Sequence, residues 1–143
     1  SVVGTNGATF YITGVQLEAG TTATPFEYRS YGTELALCQR YFIKYGGNTA
    51  YEYINGGMAG TTTQAYAISS FPVQMRASPT VTFSTLSWNW VSGSATVSAV
   101  GVDQPSPLTE GIVYTSTGLT QYRPGFCITN NSTSGYLAFS SEL

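Results

Sequence analysis

Two tryptophans separated by one residue are the part of this sequence best suited to contact a ligand. Trp88 and Trp90 flank Asn89, and alternate residues of a β-strand point to the same side, so both indole rings would share one face. An exposed pair forms an apolar platform on which a sugar ring can lie, with nearby Asn and Ser side chains hydrogen-bonding its rim. The alternative is that both rings belong to the core or to a subunit interface.

Two further segments carry candidate ligand contacts. Tyr51 and Tyr53 are also alternate residues, and the same two interpretations apply to them: a ligand platform, or part of a core or interface. Tyr122 precedes Arg123 in a proline-containing segment. The Arg123 guanidinium could contact an acidic sugar, and the alternative is a solvated loop charge.

Side chains that could catalyse a reaction are scarce. The chain has no histidine, which removes Ser-His-Asp and Cys-His arrangements and most zinc sites. The sequence contains neither of two glycine-rich phosphate-binding motifs, Gly-x-Gly-x-x-Gly and Gly-x-x-x-x-Gly-Lys-Ser/Thr. Seven acidic residues could supply the carboxylate pair of a glycosidase, but solvated surface acids are the simpler interpretation. We therefore expect a binding protein with no enzymatic activity, no metal and no cofactor.

The two cysteines, Cys38 and Cys127, lie far apart in the sequence. A disulfide between them is possible in principle, but one pair does not make a disulfide scaffold. Buried free thiols that act as small hydrophobic side chains are the favoured interpretation.

Charge and hydropathy limit the possible partners. Charged residues make up only 8 % of the chain and the net charge is −2, whereas nucleic-acid binding requires a basic patch. No apolar run approaches the ~20 residues of a membrane-spanning helix. Hydrophobic residues make up 42 % of the chain, enough for a folded core. We expect a folded domain that neither binds nucleic acid nor inserts into a membrane.

Alternation with a period of two residues dominates the chain after residue 45. The alternating segments are residues 64–71, 80–86, 95–100, 111–115, 125–129 and 136–140. Turn residues separate them, at 46–48, 55–57, 78–79, 105–107 and 130–131. Short strands divided by Gly, Pro and Asn predict a mainly β fold, an antiparallel sandwich of jelly-roll type with about seven or eight strands.

One short helix is predicted before these strands, at residues 33–43. Ser30 or Thr33 can cap its start, and Glu34 in the first turn suits the helix dipole. A helix of three turns persists only if its apolar face packs against something. The apolar residues of that face are candidate contacts in an oligomer interface: Leu35, Cys38, Tyr41 and Phe42.

The segment before the helix has a different character. Residues 8–17 read as a strand, and residues 18–30 are a turn-rich linker. We interpret residues 1–30 as the last strand and linker of a preceding module, and residues 31–143 as the β-sandwich domain.

Four motifs lie in roughly the first 80 residues: Gly-Val-Gln-Leu-Glu-Ala-Gly at 14–20, Ala-Thr-Pro-Phe-Glu at 23–27, Glu-Leu-Ala-Leu-Cys-Gln-Arg-Tyr-Phe at 34–42, and Pro-Val-Gln-Met-Arg-Ala-Ser-Pro-Thr-Val at 72–81. Together they resemble the C-terminal regions of bacteriophage tail-fibre and tailspike proteins. Phe42 departs from the family's tyrosine at that position. Residues 83–143 match no motif of the family.

The resemblance implies a homotrimeric fibre tip at the distal end of the virion's tail fibre, joined to upstream fibre domains. It supplies no catalytic residues. Two functions then remain open. The domain either binds a host-surface glycan such as lipopolysaccharide or capsule, or it is a structural trimerisation and folding domain without a ligand of its own.

Overall fold

Ten strands and one helix form the regular structure of the described residues, which in this computed structural model are 6, 9, 11–22 and 24–142. In chain order they are α1 (Tyr31–Gln39), β1 (Phe42–Gly46), β2 (Tyr53–Ala59), β3 (Gln64–Ser70), β4 (Thr80–Ser84), β5 (Leu86–Trp90), β6 (Gly93–Thr96), β7 (Ala99–Asp103), β8 (Thr109–Thr115), β9 (Pro124–Thr129) and β10 (Tyr136–Ser140). The predicted mainly β, antiparallel fold is confirmed, with more strands than the seven or eight expected.

The extra strands arise partly where predicted segments break. Thr85 has a left-handed φ of 50°, which ends β4 in one sheet and lets β5 begin in the other. Residues 97–98 likewise separate β6 from β7. The turn predicted at 55–57 is wrong, because these residues lie inside β2.

The smaller sheet has the strand order β1-β10-β4, with both pairs antiparallel. Ile43 lies opposite Phe139, which lies opposite Val81. The side chains of these three residues lie on one face, which packs into the core. Phe139 is fully buried, as expected for a central strand.

The larger sheet has the order β6-β5-β9-β2-β3-β8-β7, and all its neighbours are antiparallel. Alternation divides each strand between two faces. In β3, Ala65 and Ala67 are buried while Tyr66 and Ile68 are exposed. We call the face with the buried side chains the inner face, and the opposite one the outer face.

The core lies where the inner faces of the two sheets meet. The rings of Phe71 and Phe139 pack edge to face with centroids 5.0 Å apart, and those of Trp88 and Tyr114 are 5.6 Å apart. Aromatic side chains of this size each remove about 150–250 Å² from water. The core therefore uses one face of the larger sheet. On the outer face Ile128 and Ser87 are buried near the end of β9, and the described residues form no layer over the rest of it.

The helix begins and ends earlier than predicted. Ser30 is its N-cap and accepts a hydrogen bond from the Thr33 amide at 3.3 Å. The helix ends at Gln39 because the aromatic and β-branched residues that follow pair as β1 with β10. A helical face that includes Phe42 is therefore wrong, since Phe42 is the first residue of a strand.

Residues 11–18 adopt neither helix nor strand. The strand predicted at 8–17 is wrong for this part, because residues 11–17 pair with no described strand, while positions 8 and 10 lie outside the described residues. The polar side chains here bond within the segment, as when Thr24 donates to Glu18 at 2.6 Å. The apolar ones are exposed: Tyr11, Ile12, Val15 and Leu17. That residues 1–30 end a preceding module stays a prediction.

Candidate functional site: the outer face of the larger sheet

The two tryptophans of the predicted platform lie on the inner face of β5. They do share one face, as expected, but Trp88 is only 1 % exposed and Trp90 packs partly buried against the core. Glycines make room for both rings: a Cβ on Gly125 would lie 2.5 Å from Trp88 Nε1, and one on Gly93 would lie 2.9 Å from Trp90 Cζ2. The platform interpretation is therefore wrong for these tryptophans.

Asn89 points to the outer face and is half-buried. Its side-chain oxygen accepts a hydrogen bond of 2.8 Å from the Ser87 hydroxyl. This bond fixes the amide beside Phe126, the residue paired with Asn89 on β9.

Tyr51 and Tyr53 are both exposed, but they do not form a platform through strand alternation. Tyr51 lies in the turn before β2 with a left-handed φ of 59°, and its amide donates to the Thr129 carbonyl at 2.8 Å. Tyr53 is 73 % exposed, and its ring packs edge to face on Phe126 with centroids 5.5 Å apart. Tyr53 therefore belongs to the outer face.

Tyr122 and Arg123 lie in the turn before β9. Tyr122 is 72 % exposed with a left-handed φ of 63°. The Arg123 guanidinium donates to the Ser92 hydroxyl at 2.7 Å, which ties this turn to the loop between β5 and β6. The hydrogen bond to Ser92 uses one nitrogen of the guanidinium that was predicted to contact an acidic sugar.

The four predicted interface residues are all exposed. Leu35 and Cys38 lie on α1, a helix with no buried residue, whereas Tyr41 and Phe42 follow it. Cys38 is a free, exposed thiol, so the expectation that both cysteines are buried is wrong for it, while Cys127 is free and buried. Burial raises the pKa of the Cys127 thiol to about 12, which makes it inert.

The outer face carries two rows of side chains that cross the strands. Register and alternation place Phe126, Gly56, Ile68, Gly111 and Asp103 in the first row, on β9, β2, β3, β8 and β7. The second row holds Pro124, Met58, Tyr66, Val113 and Gly101 in the same strand order. Ile68 is 70 % exposed and Phe126 is 53 % exposed. These rows form one apolar face interrupted by glycines.

Glycines also hold the aromatic rings of this face in place. A Cβ on Gly56 would lie 3.1 Å from the Phe126 ring, and one on Gly60 would lie 2.6 Å from the Tyr66 ring. The Tyr66 hydroxyl donates to the Gln64 side chain at 3.0 Å. Both rings therefore rest against bare backbone with restricted freedom, which lowers the entropic cost of binding a ligand.

A groove of about 710 Å³ lies on the outer face between Tyr66 and the end of β7. Its floor is backbone, because Gly56 and Gly111 have no side chains there. Asp103 and Gln104 lie at one end. Most of the residues that line it are glycines or have apolar side chains, and none is lysine or arginine. The groove is therefore apolar with an acidic end.

Glu110 is also among the residues that line the groove, but its side chain is buried on the inner face of the sheet. Its side chain is fully buried, and neither carboxyl oxygen has a hydrogen-bond partner among the described residues. Burial raises the pKa of the Glu110 carboxyl to about 7, because desolvation disfavours the charged form. On the same face, the Tyr114 hydroxyl donates a hydrogen bond to the Asn55 side-chain oxygen at 2.9 Å. The Asn55 side-chain amide in turn donates to the hydroxyl of Ser69, the residue paired with Glu110, also at 2.9 Å. This hydrogen-bond network does not include the Glu110 carboxyl group.

The part of the chain that the structure describes contains no cluster of three or more His, Cys, Asp and Glu side chains able to hold a metal ion. Its single helix is too short to cross a membrane. Comparisons with protein-family models, curated proteins and solved structures gave no match. The candidate site therefore rests on the geometry of this chain alone.

Sequence reasoning missed the outer face, although one signal for it was present. Residues 64–70 alternate small with large: Ala65, Ala67 and Ser69 against Tyr66 and Ile68. Large apolar residues are normally assigned to the core. Here the small residues face inward because Trp88, Tyr114 and other large rings already fill that space.

Proposed function

We propose that this domain is the receptor-binding tip of a bacteriophage tail fibre, which attaches the virion to a host-surface glycan such as lipopolysaccharide or capsule. The observation that carries the proposal is the exposed aromatic outer face, with Tyr53, Phe126 and Tyr66 held on a rigid sheet. Large exposed apolar patches mark interaction sites. The tail-fibre motifs at residues 14–42 and 72–81 support the same function.

The proposed trimer would suit such a weak, shallow site. Three copies on one fibre tip present three sites to a repetitive polysaccharide, which raises the overall affinity without new contacts. A chain with few charged side chains and many hydroxyl groups also matches a polar, largely uncharged ligand.

Binding of the purified whole chain to arrayed bacterial polysaccharides and to a panel of intact bacterial cells tests this function. We expect saturable binding to at least one polysaccharide and to the cells that display it. Absence of binding to every polysaccharide and every cell type would contradict it.

A structural role is the second candidate, and a separate observation favours it. Helix α1 has no buried residue and exposes Tyr31, and the segment before it exposes further large side chains, including Leu17 and Tyr28. A nine-residue helix is not stable in water without packing. In a trimerisation and folding domain, neighbouring copies or upstream fibre domains would cover these residues.

Light scattering distinguishes this role from a purely monomeric adhesin. A trimer predicts a mass three times the 15.2 kDa of the chain, and a mass equal to one chain would contradict trimerisation through these residues. A trimer that binds no glycan and no cell would favour the structural role over receptor binding.

A further inference from the structure

The outer groove has a size and a lining that can take one or a few sugar rings. Its volume of about 710 Å³ lies within the ~300–1,000 Å³ typical of small-molecule sites. Tyr66 forms one wall and Ile68 rises from the middle, while Gly56 and Gly111 leave backbone exposed along the floor. A pyranose ring presents a flat C–H face that packs on an aromatic ring, and hydroxyl groups at its edge that hydrogen-bond polar groups.

Polar groups are concentrated at one end of the groove. Asp103 is exposed at the end of β7, and Gln104 and Thr109 lie beside it. The Asp103 carboxylate accepts hydrogen bonds from hydroxyl or amino groups and repels another carboxylate. Since no lysine or arginine lines the groove, nothing there compensates an acidic sugar.

We propose that this groove is the glycan subsite and that it takes a sugar chain without carboxylate groups, either neutral or amino-bearing. This inference rests on the proposed receptor-binding function. The sugar stacks on Tyr66 and hydrogen-bonds Asp103. The sequence-based candidates Trp88 and Trp90 play no direct part, and Tyr122 lies outside the groove.

Single-residue variants on the polysaccharide array locate the subsite. Tyr66→Ala removes the stacking surface and lowers affinity about tenfold. Ile68→Glu puts a bulky charge into the groove at an exposed position, where it leaves the core intact, and it abolishes binding. Tyr122→Ala is the matched control, an exposed tyrosine outside the groove, and it binds like wild type. Equal melting temperatures establish that all three variants fold.

Asp103→Asn tests the ligand's charge. On arrays of neutral, amino-bearing and uronic-acid-containing polysaccharides, wild type should prefer the first two classes. In the variant, the ratio of the affinity for these two classes to the affinity for uronic-acid chains should fall about fivefold, the effect expected of one exposed charge pair. Wild-type preference for uronic-acid chains, or an unchanged preference in the variant, would overturn the charge assignment.

Failure of the subsite and failure of the function have different signatures. If wild type binds glycan, Tyr66→Ala and Ile68→Glu bind equally well, and Tyr122→Ala does not, the groove assignment is overturned while receptor binding stands. If wild type binds no glycan at all, the proposed function fails and the subsite fails with it.

Discussion

Glu110 is a buried carboxyl group whose pKa is raised into the neutral range. Its carboxyl is buried without a partner among the described residues, and burial raises its pKa from 4.5 to about 7. In the unfolded chain the group ionises near pH 4.5, whereas in the folded chain it stays protonated until about pH 7. The folded state therefore binds more protons between these values, and stability falls as pH rises through that window.

Glu110→Gln should remove this dependence, because the amide does not titrate. Near pH 4 the variant and wild type should differ little, whereas above pH 7 the variant should be more stable, by roughly 3 kcal/mol at most. Urea unfolding across pH 4–8 measures the difference, with the exposed Glu142→Gln as control. Parallel pH profiles for Glu110→Gln and wild type would contradict the assignment.

Gly125 explains why Trp88 is buried. A Cβ at Gly125 would lie 2.5 Å from Trp88 Nε1 and 2.6 Å from the Asn89 carbonyl oxygen. Gly125→Ala should therefore destabilise the domain by about 1–3 kcal/mol, the usual cost of overpacking. Gly101→Ala on β7, where a Cβ meets nothing within 4 Å, should be near neutral. Chemical unfolding compares the two, and equal midpoints would contradict the packing argument.

Among the elements, α1 and the segment before it should be the least protected part of the chain. The helix has no buried residue, and residues 11–30 are exposed throughout their described part. In hydrogen exchange followed by mass spectrometry, at a concentration where light scattering shows single chains, amides of residues 11–39 should exchange within seconds and those of β3 and β8 orders of magnitude more slowly. Slow exchange of α1 in the single chain would contradict this expectation, whereas protection that appears only together with the trimer would mean that another copy covers the helix.

Alternation located most of the later strands, because it follows from local geometry. Residues 64–71, 111–115, 125–129 and 136–140 fall within one or two residues of β3, β8, β9 and β10. The breaks at Thr85 and at 97–98 were missed, since they depend on where the chain passes from one sheet to the other and from one edge of the larger sheet to its opposite edge. The helix was found, but its end at Gln39 is set by pairing with the distant β10.

The choice of face could not be predicted from alternation. The pattern correctly placed Trp88 and Trp90 together, but it cannot tell which face of a sheet another layer covers. That depends on Gly125 and Gly93, which make space for the indole rings, and on the smaller sheet, whose Phe139 and Leu137 close the core. For the same reason, alternation did not predict that Tyr66 and Ile68 lie on the outer face.

At the scale of the whole molecule, many of the exposed large apolar side chains of the described residues lie in two separate regions. One is the outer face of the larger sheet, and the other is formed by α1 with the segment before it. This separation would allow the two proposed roles to reside in different regions, with assembly of the trimer in the N-terminal region and receptor binding on the outer face. Variants of the two regions should then act independently. Leu35→Glu should lower the mass measured by light scattering and leave the glycan affinity of each site unchanged. Ile68→Glu should lower the glycan affinity and leave the mass unchanged. Loss of both properties in either variant would contradict this division.

In the proposed receptor-binding function, the outer face of the larger sheet contacts the host glycan. Binding of the whole chain to glycan-bearing bacterial cells, with wild type and Ile68→Glu compared at equal melting temperature, tests it most directly. We expect saturable binding by wild type that is abolished in Ile68→Glu and preserved in Tyr122→Ala. Equal cell binding by wild type and Ile68→Glu would contradict it.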